Sequence, residues 1–322
     1  MTVTYDDVVA AAGRIGGHVL RTPVLEVAPG LVFKLELLQH SGSFKVRGAF
    51  NRMLAAGQLP ASGVIAASGG NHGLAVAYAA RALGVRAEIF VPEVTSPVKV
   101  AGLRALGARI NQGGAIYSEA AEAAAKRAAE TGALVVHAYD QPEVVAGQGT
   151  TGLELMEQTG GVDTILVAVG GGGLAAGITL GSGATPPDPV GPPPPPGFGL
   201  ARPRIVCVEP ERIPTFHEAL KAGRPVPVEV SGVAADSLGA TVIGEIAYGI
   251  LGAAGARSVL VAEDAIVAAR RTLWEKHRLA TEPGGATAYA ALLSGAYIPG
   301  PGERVAVVLC GSNTDPATLT AE

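Results

Sequence analysis

Thr164-Ile165-Leu166-Val167-Ala168-Val169 runs without a break into Gly170-Gly171-Gly172-Gly173, and Leu174-Ala175-Ala176-Gly177-Ile178-Thr179-Leu180 follows. The first six residues are apolar or β-branched, as a strand buried on both faces requires. Four glycines cannot continue a strand, and the alanine- and leucine-rich run after them reads as a helix. A strand, a tight glycine turn and a helix in that order are the unit of a parallel α/β sheet. The uncharged stretch from Thr164 to Pro187 is long enough to span a bilayer, but its glycines and prolines break it into strand, loop and helix.

The same alternation repeats along the chain. Strand-like runs occupy Leu31–Glu36, Val64–Ala67, Ala87–Val91, Leu134–Ala138, Ile165–Val169, Ile205–Val208 and Val305–Leu309. Helical patterns such as Leu74–Leu83, Ile116–Glu130, Glu143–Gln158 and Asp264–His277 lie between them. The expected class is α/β, with parallel sheets covered by helices on both faces and doubly wound. The segment Gly181 to Arg202 breaks the pattern with Pro192–Pro196 in a row; it reads as an extended surface loop inside one sheet and not as a domain boundary.

At 322 residues the chain has room for about two lobes. A net charge of −4 with no lysine- or arginine-rich run argues against a nucleic-acid partner. The start, Met1 to Gly13, contains Asp6 and Asp7 and lacks the basic beginning and apolar centre of a signal peptide. Cys207 and Cys310 both fall in strand-like runs, so reduced thiols and a cytoplasmic location are expected.

Four stretches could carry chemistry. In Ser41-Gly42-Ser43-Phe44-Lys45-Val46-Arg47-Gly48 a lysine stands between an aromatic ring and small or apolar neighbours, a setting that lowers an amine's pKa and makes it nucleophilic, although an exposed loop lysine is the plainer reading. Ala67-Ser68-Gly69-Gly70-Asn71-His72-Gly73 follows a strand and opens a helix, where free amides favour an anion such as a carboxylate; a capped turn is the alternative. The glycine turn Gly170–Gly173 offers a nest of amides suited to phosphate. Gly171, Gly173 and Gly177 also fit a loosened dinucleotide fingerprint, but the first acid at a strand end is Glu209, too far on for a ribose contact. Finally, Leu309-Cys310-Gly311-Ser312-Asn313-Thr314-Asp315 closes the last apolar strand, at the end where such sheets bind ligands.

Taken in this order, together with His137, Ala146-Gly147-Gln148-Gly149-Thr150 and Glu282-Pro283-Gly284-Gly285, the stretches resemble the fold-type-II pyridoxal-phosphate (PLP) enzymes, specifically the serine/threonine dehydratase and serine racemase group. The resemblance runs from about Asp6 to Asp315. It implies two doubly wound α/β domains of the tryptophan synthase β-like architecture, a large PLP-binding domain from residues 1–48 and 146–322 and a small substrate-binding domain from residues 49–145. It implies that Lys45 carries the cofactor as a Schiff base and acts as catalytic base. Phe44 would stack on the pyridine ring, Asn71 would meet its phenolic oxygen, and Gly170, Gly171, Gly172, Gly173 and Leu174 would hold the phosphate. Ser68, Gly69, Asn71 and His72 would hold the substrate carboxylate, and Glu282 would lie near the ring edge.

Three departures from the family pattern matter. The serine that usually meets the pyridine nitrogen is Cys310 here. Some members bind a divalent cation through a glutamate, a carbonyl four residues on and an aspartate six residues on; those positions are Glu209, Ile213 and Thr215, so no metal is expected. Where serine racemases have a second serine in the Ser-Ser-Gly-Asn-His loop, this chain has Gly69. The activity implied is dehydration of L-threonine or L-serine to a 2-oxo acid and ammonia, with racemisation, lysis of an aryl-serine or hydroxyaspartate, or a non-catalytic PLP-binding regulatory role as the other readings. A hydroxyamino-acid substrate, a homodimer, no membrane and no isoleucine-binding C-terminal domain complete the expectation.

Overall fold

The computed structural model describes residues 2–184 and 202–319; the proline-rich run Pro192–Pro196 lies outside the described residues. The strands are β1 (Val24–Ala28), β2 (Leu31–Lys34), β3 (Val64–Ala67), β4 (Ala87–Val91), β5 (Arg109–Gln112), β6 (Leu134–Val135), β7 (Thr164–Ala168), β8 (Arg204–Pro210), β9 (Arg257–Val261) and β10 (Val305–Val308). The helices are α1 (Tyr5–Ile15), α2 (Lys45–Ala55), α3 (Asn71–Ala82), α4 (Pro97–Ala105), α5 (Tyr117–Thr131), α6 (Pro142–Thr159), α7 (Gly173–Gly181), α8 (Thr215–Ala222), α9 (Ala235–Leu238), α10 (Glu245–Ala253), α11 (Glu263–His277) and α12 (Pro283–Leu293).

The strands form two sheets, one ordered β1-β2-β10-β7-β8-β9 and one ordered β5-β4-β3-β6. Every residue of β7 and of β10 is buried, which is why their sequences are apolar on both faces. The large sheet buries Val167 and Val308 on one side, and Leu166 and Val307 on the other. The small sheet has its own core, with Ile89 and Val64 against Ala75 and Val76 of α3.

Chain order reverses once in each sheet. In the large sheet the reversal falls between β10 and β7, and in the small one between β3 and β6. Such switch points leave a crevice beyond the carboxyl ends of the strands, where ligands of open α/β sheets bind. The glycine turn after β7 and Cys310 after β10 flank the first crevice; Ser68–Gly70 after β3 and Val136–Asp140 after β6 flank the second.

Several boundaries and one direction differ from the sequence reading, and those that bear on the site are these. β1 and β2 are antiparallel, so the large sheet is not wholly parallel; Gly30, at φ +76°, makes the tight reversal between them. β2 stops at Lys34 and not Glu36, because Leu35 leaves the extended region and Glu36 opens a short 3₁₀ turn. β6 stops at Val135 and not Ala138: the His137 ring Nδ1 accepts from Tyr139 N (3.3 Å) and Asp140 N (2.9 Å), curling the chain out of the sheet. β7 and β10 each end one residue earlier, so Cys310 lies just past its strand. No helix of the described residues is long and apolar enough to cross a membrane.

Candidate active site

Lys45 is the first residue of α2, and the segment before it is pinned to the end of β10. Phe44 N donates to Cys310 O (3.2 Å), Ser312 N donates to Gly42 O (2.8 Å), and Ser43 bridges Gly311. Ser41 and Gly42 take positive φ, the conformation glycine adopts at least cost. The helix therefore starts at the mouth of the first crevice, and the Lys45 side chain reaches across to the second. There its Nζ donates to Ala138 O at 2.6 Å, beyond the end of β6. Among the described residues no carboxylate forms an ion pair with it. Burial lowers its pKa to about 8, with Cys310 and Glu282 opposing the shift. The Phe44 ring centroid lies 5.1 Å from Nζ.

Cys310 and Glu282 line one wall. The Cys310 thiol faces Gly284 O at 3.5 Å, and burial, reinforced by the neighbouring Glu282, pushes it above the usual thiol range, favouring the neutral form. Burial raises the Glu282 carboxyl to about 7, against the hydrogen bond it accepts from Asn71 Nδ2 at 2.5 Å. Asn71 Oδ1 accepts in turn from Asn313 Nδ2 at 2.6 Å. A Cβ on Gly311 would collide with the Glu282 carboxylate.

The glycine turn is clamped on three sides. A Cβ on Gly170 would approach Leu238 O to 2.8 Å, one on Gly172 would approach Ala247 Cβ to 2.7 Å, and one on Gly171 would enter the Tyr139 ring. Gly173 is blocked by Tyr139 O at 2.7 Å. The turn is all glycine because its neighbours leave no side-chain space, and its main-chain N–H groups, with those opening α7 at Gly173 and Leu174, are what it can offer a ligand.

The loop after β3 is held by its own hydrogen bonds. Ser68 Oγ accepts from Gly70 N at 3.2 Å. The His72 ring Nε2 is hydrogen-bonded to Val136 O at 2.8 Å, and burial, with Lys45 nearby, lowers its pKa to about 3. His72 is thus a neutral imidazole that ties α3 to the end of β6. Asn71 and His72 are held by protein groups, Ser68 Oγ accepts from Gly70 N and keeps its own proton to donate, and the first turn of α3 adds free main-chain N–H groups. Gly69 lies against Thr95, whose Cγ2 would be 2.8 Å from an added Cβ.

The structure therefore brings Lys45, Phe44, Cys310, Glu282, Asn71 and the glycine turn to one crevice, with Gly69 at its edge. Two contributors were missed in the sequence. Tyr139 packs on the glycine turn, stacks edge-on with His137 (4.8 Å between centroids) and sends its hydroxyl to Val242 O at 3.3 Å. Asn313 orients Asn71. Both stand just past the carboxyl end of a parallel strand, a position that could have singled them out. At Glu209 both carboxylate oxygens are taken by protein donors, Phe216 N at 2.7 Å and His217 N at 2.9 Å. Among the described residues no group of His, Cys, Asp or Glu is arranged to hold a metal.

Comparison with known proteins fits this geometry. The chain is 37% identical to a phenylserine dehydratase of Ralstonia pickettii, over 99% of this chain and 96% of the relative. It is 39% identical to an L-threonine ammonia-lyase of Geobacter sulfurreducens, over 90% of this chain and 69% of the relative. Among solved structures, maize serine racemase superposes with a TM-score of 0.87 at 29% identity, covering 99% of this chain and 96% of the other. Residues 15–311 match the family model described as pyridoxal-phosphate dependent enzyme. A lysine without an ion pair among the described residues, beside an all-glycine turn, suits that cofactor, and the chain belongs to the pyridoxal-phosphate dependent enzymes.

Proposed function

We propose that this protein removes water from L-2-amino-3-hydroxy acids of the threonine, serine or aryl-serine type and releases a 2-oxo acid and ammonia. The observation that carries the reading is Lys45: a buried amine with a pKa of about 8, hydrogen-bonded only to a neutral carbonyl. The residues around it fit PLP. Gly170–Gly173 and Leu174 would hold the phosphate through main-chain amides, Phe44 would lie on the ring face, Asn71 would meet the phenolic oxygen, and Cys310 would face the ring nitrogen. Residues 1–48 and 146–322 would form the cofactor lobe, and residues 49–145 the substrate lobe.

When bound, the cofactor supplies an electrophilic carbon for the substrate amine and an electron sink for the charge left at Cα. The protein's part is positioning and proton transfer. The free amides of the first turn of α3 would orient the substrate carboxylate. Lys45 Nζ, as a free uncharged amine, would take the α-proton. The resulting Lys45 ammonium would return that proton to the β-hydroxyl, which leaves as water as the Cβ–O bond breaks; the enamine released becomes an imine, which water hydrolyses to the 2-oxo acid and ammonia. A Cys310 thiol facing the ring nitrogen would supply no charge to keep that nitrogen protonated, which would favour elimination over reprotonation at Cα. Gly69 supports the same preference, since it offers no acid on the face opposite Lys45.

The test is a panel of L-threonine, L-serine, phenylserine and hydroxyaspartate, read out by ammonia and 2-oxo acid, with chiral analysis of recovered serine. Elimination exceeding L-to-D conversion is expected. D-serine formed as fast as pyruvate would make the protein a racemase, and colour from bound cofactor without product from any substrate would make it a binding protein.

A further inference from the structure

The glycine turn is held by one side chain from far along the chain. Thr215, buried at the start of α8, donates its hydroxyl to Gly170 O at 2.6 Å. Its oxygen also lies 3.2 Å from Glu209 Oε1. A hydroxyl has a single proton, and the shorter contact takes it. Glu209, near the end of β8, fixes Thr215 in turn: it accepts from Phe216 N at 2.7 Å, from His217 N at 2.9 Å and from Ser258 Oγ at 3.2 Å. The carboxylate thus anchors the first turn of α8, and Thr215 projects from that anchored turn.

A trans peptide unit is planar, with its C=O and N–H pointing in opposite directions. Fixing Gly170 O toward Thr215 therefore fixes the Gly171 N–H away from it. The next unit is fixed likewise, through Gly244 N donating to Gly171 O at 3.1 Å. Glycine peptides reorient at little cost, so a run of four holds its amides in one direction only when its carbonyls are tied. We infer that Thr215, braced by Glu209, is a positioning residue that aims the Gly171 N–H for the cofactor phosphate. The inference rests on the reading that this turn holds the phosphate.

The test compares PLP with pyridoxal, which has the same aldehyde and ring but no phosphate. Apoprotein is titrated with each, and the Schiff-base absorbance gives an affinity. Thr215→Val keeps the shape and removes the donor; it should weaken PLP about tenfold and leave pyridoxal unchanged, and Thr215→Ser should restore PLP. Should the valine variant fold poorly, Thr215→Ala serves the same comparison. Unchanged PLP affinity, or equal losses for both ligands, would overturn the inference. Wild-type protein binding PLP and pyridoxal equally well would instead overturn the phosphate role of the glycine turn.

Discussion

Lys45 and Arg47 stand two residues apart in the first turn of α2, both cations withdrawn from water, in opposite electrostatic settings. Arg47 is fully buried and meets Glu36 through Nε (2.7 Å) and Nη2 (2.8 Å), Glu154 through Nη1 (2.7 Å) and Nη2 (2.9 Å), and Thr150 at 3.1 Å. Lys34 joins the same cluster through Glu154 at 2.7 Å and Thr22 O at 2.8 Å. Desolvation alone would lower the Arg47 pKa, yet the two carboxylates raise it. Lys45 has one neutral carbonyl and no carboxylate partner, so for it desolvation wins. Burial lowers Lys34 as well, despite its carboxylates, so what sets Lys45 apart is that it has no ion pair among the described residues and reaches the loop beyond β6 beside the glycine turn. The paired cluster fixes the helix from which the unpaired amine projects.

Lys45→Ala should produce the largest functional effect, a loss of turnover of at least about 10⁴-fold, because the nucleophile and the base are the same atom. Steady-state assays and thermal melts of the same sample check this; turnover near the wild-type level would break the comparison.

Methionine at each position should move stability in opposite directions. Arg47→Met leaves Glu36 buried with the Thr22 hydroxyl and with Lys34, 4.0 Å away, as its cation, and should cost about 3–5 kcal/mol in a denaturant melt. Lys45→Met should stabilise the apoprotein by about 1–3 kcal/mol at neutral pH. The sign follows from the lysine's depressed folded pKa of about 8 against 10.5 unfolded. Between those values the unfolded state binds the extra proton, so wild-type stability rises with pH there, and below about pH 8 the full penalty applies. The advantage of methionine should therefore shrink as pH climbs through that window. A destabilised Lys45→Met apoprotein would mean the amine has a counter-ion after all.

The parts of this site that were legible in the sequence are those set by local rules. The turn Gly170–Gly173 could be read because no other residue type tolerates such crowding, and β7 because a strand buried on both faces has no polar position. Lys45 was legible from its small and aromatic neighbours in combination with the other stretches. The length of β6 was not, because His137 caps its own turn with a side chain. The engagement of His72 by Val136, the stacking of Tyr139 on the turn and the Thr215 to Gly170 bond join residues distant in the chain, and no local pattern announces them.

Smaller effects concern the second face of the substrate. A serine at Gly69 would place a proton carrier opposite Lys45, but its Cβ meets Thr95 Cγ2 at 2.8 Å. The double variant Gly69→Ser, Thr95→Ala should raise L-to-D conversion of serine by about tenfold or more in chiral chromatography, with Gly69→Ser alone less effective. No rise in the double variant would remove Gly69 as the discriminating position. Smallest of all is the effect of chelation. Since protein donors already occupy the Glu209 carboxylate and residue 215 is a threonine, activity should change by less than about twofold after EDTA treatment; a requirement for added magnesium or calcium would contradict this.

The most direct measurement traps the cofactor on its lysine. Reducing the PLP-loaded protein with borohydride makes the bond permanent, and peptide mapping by mass spectrometry locates it. The unpaired amine predicts the cofactor mass on the peptide containing Lys45 and on no other. Labelling at the paired Lys34, at any other lysine, or at none would contradict the account.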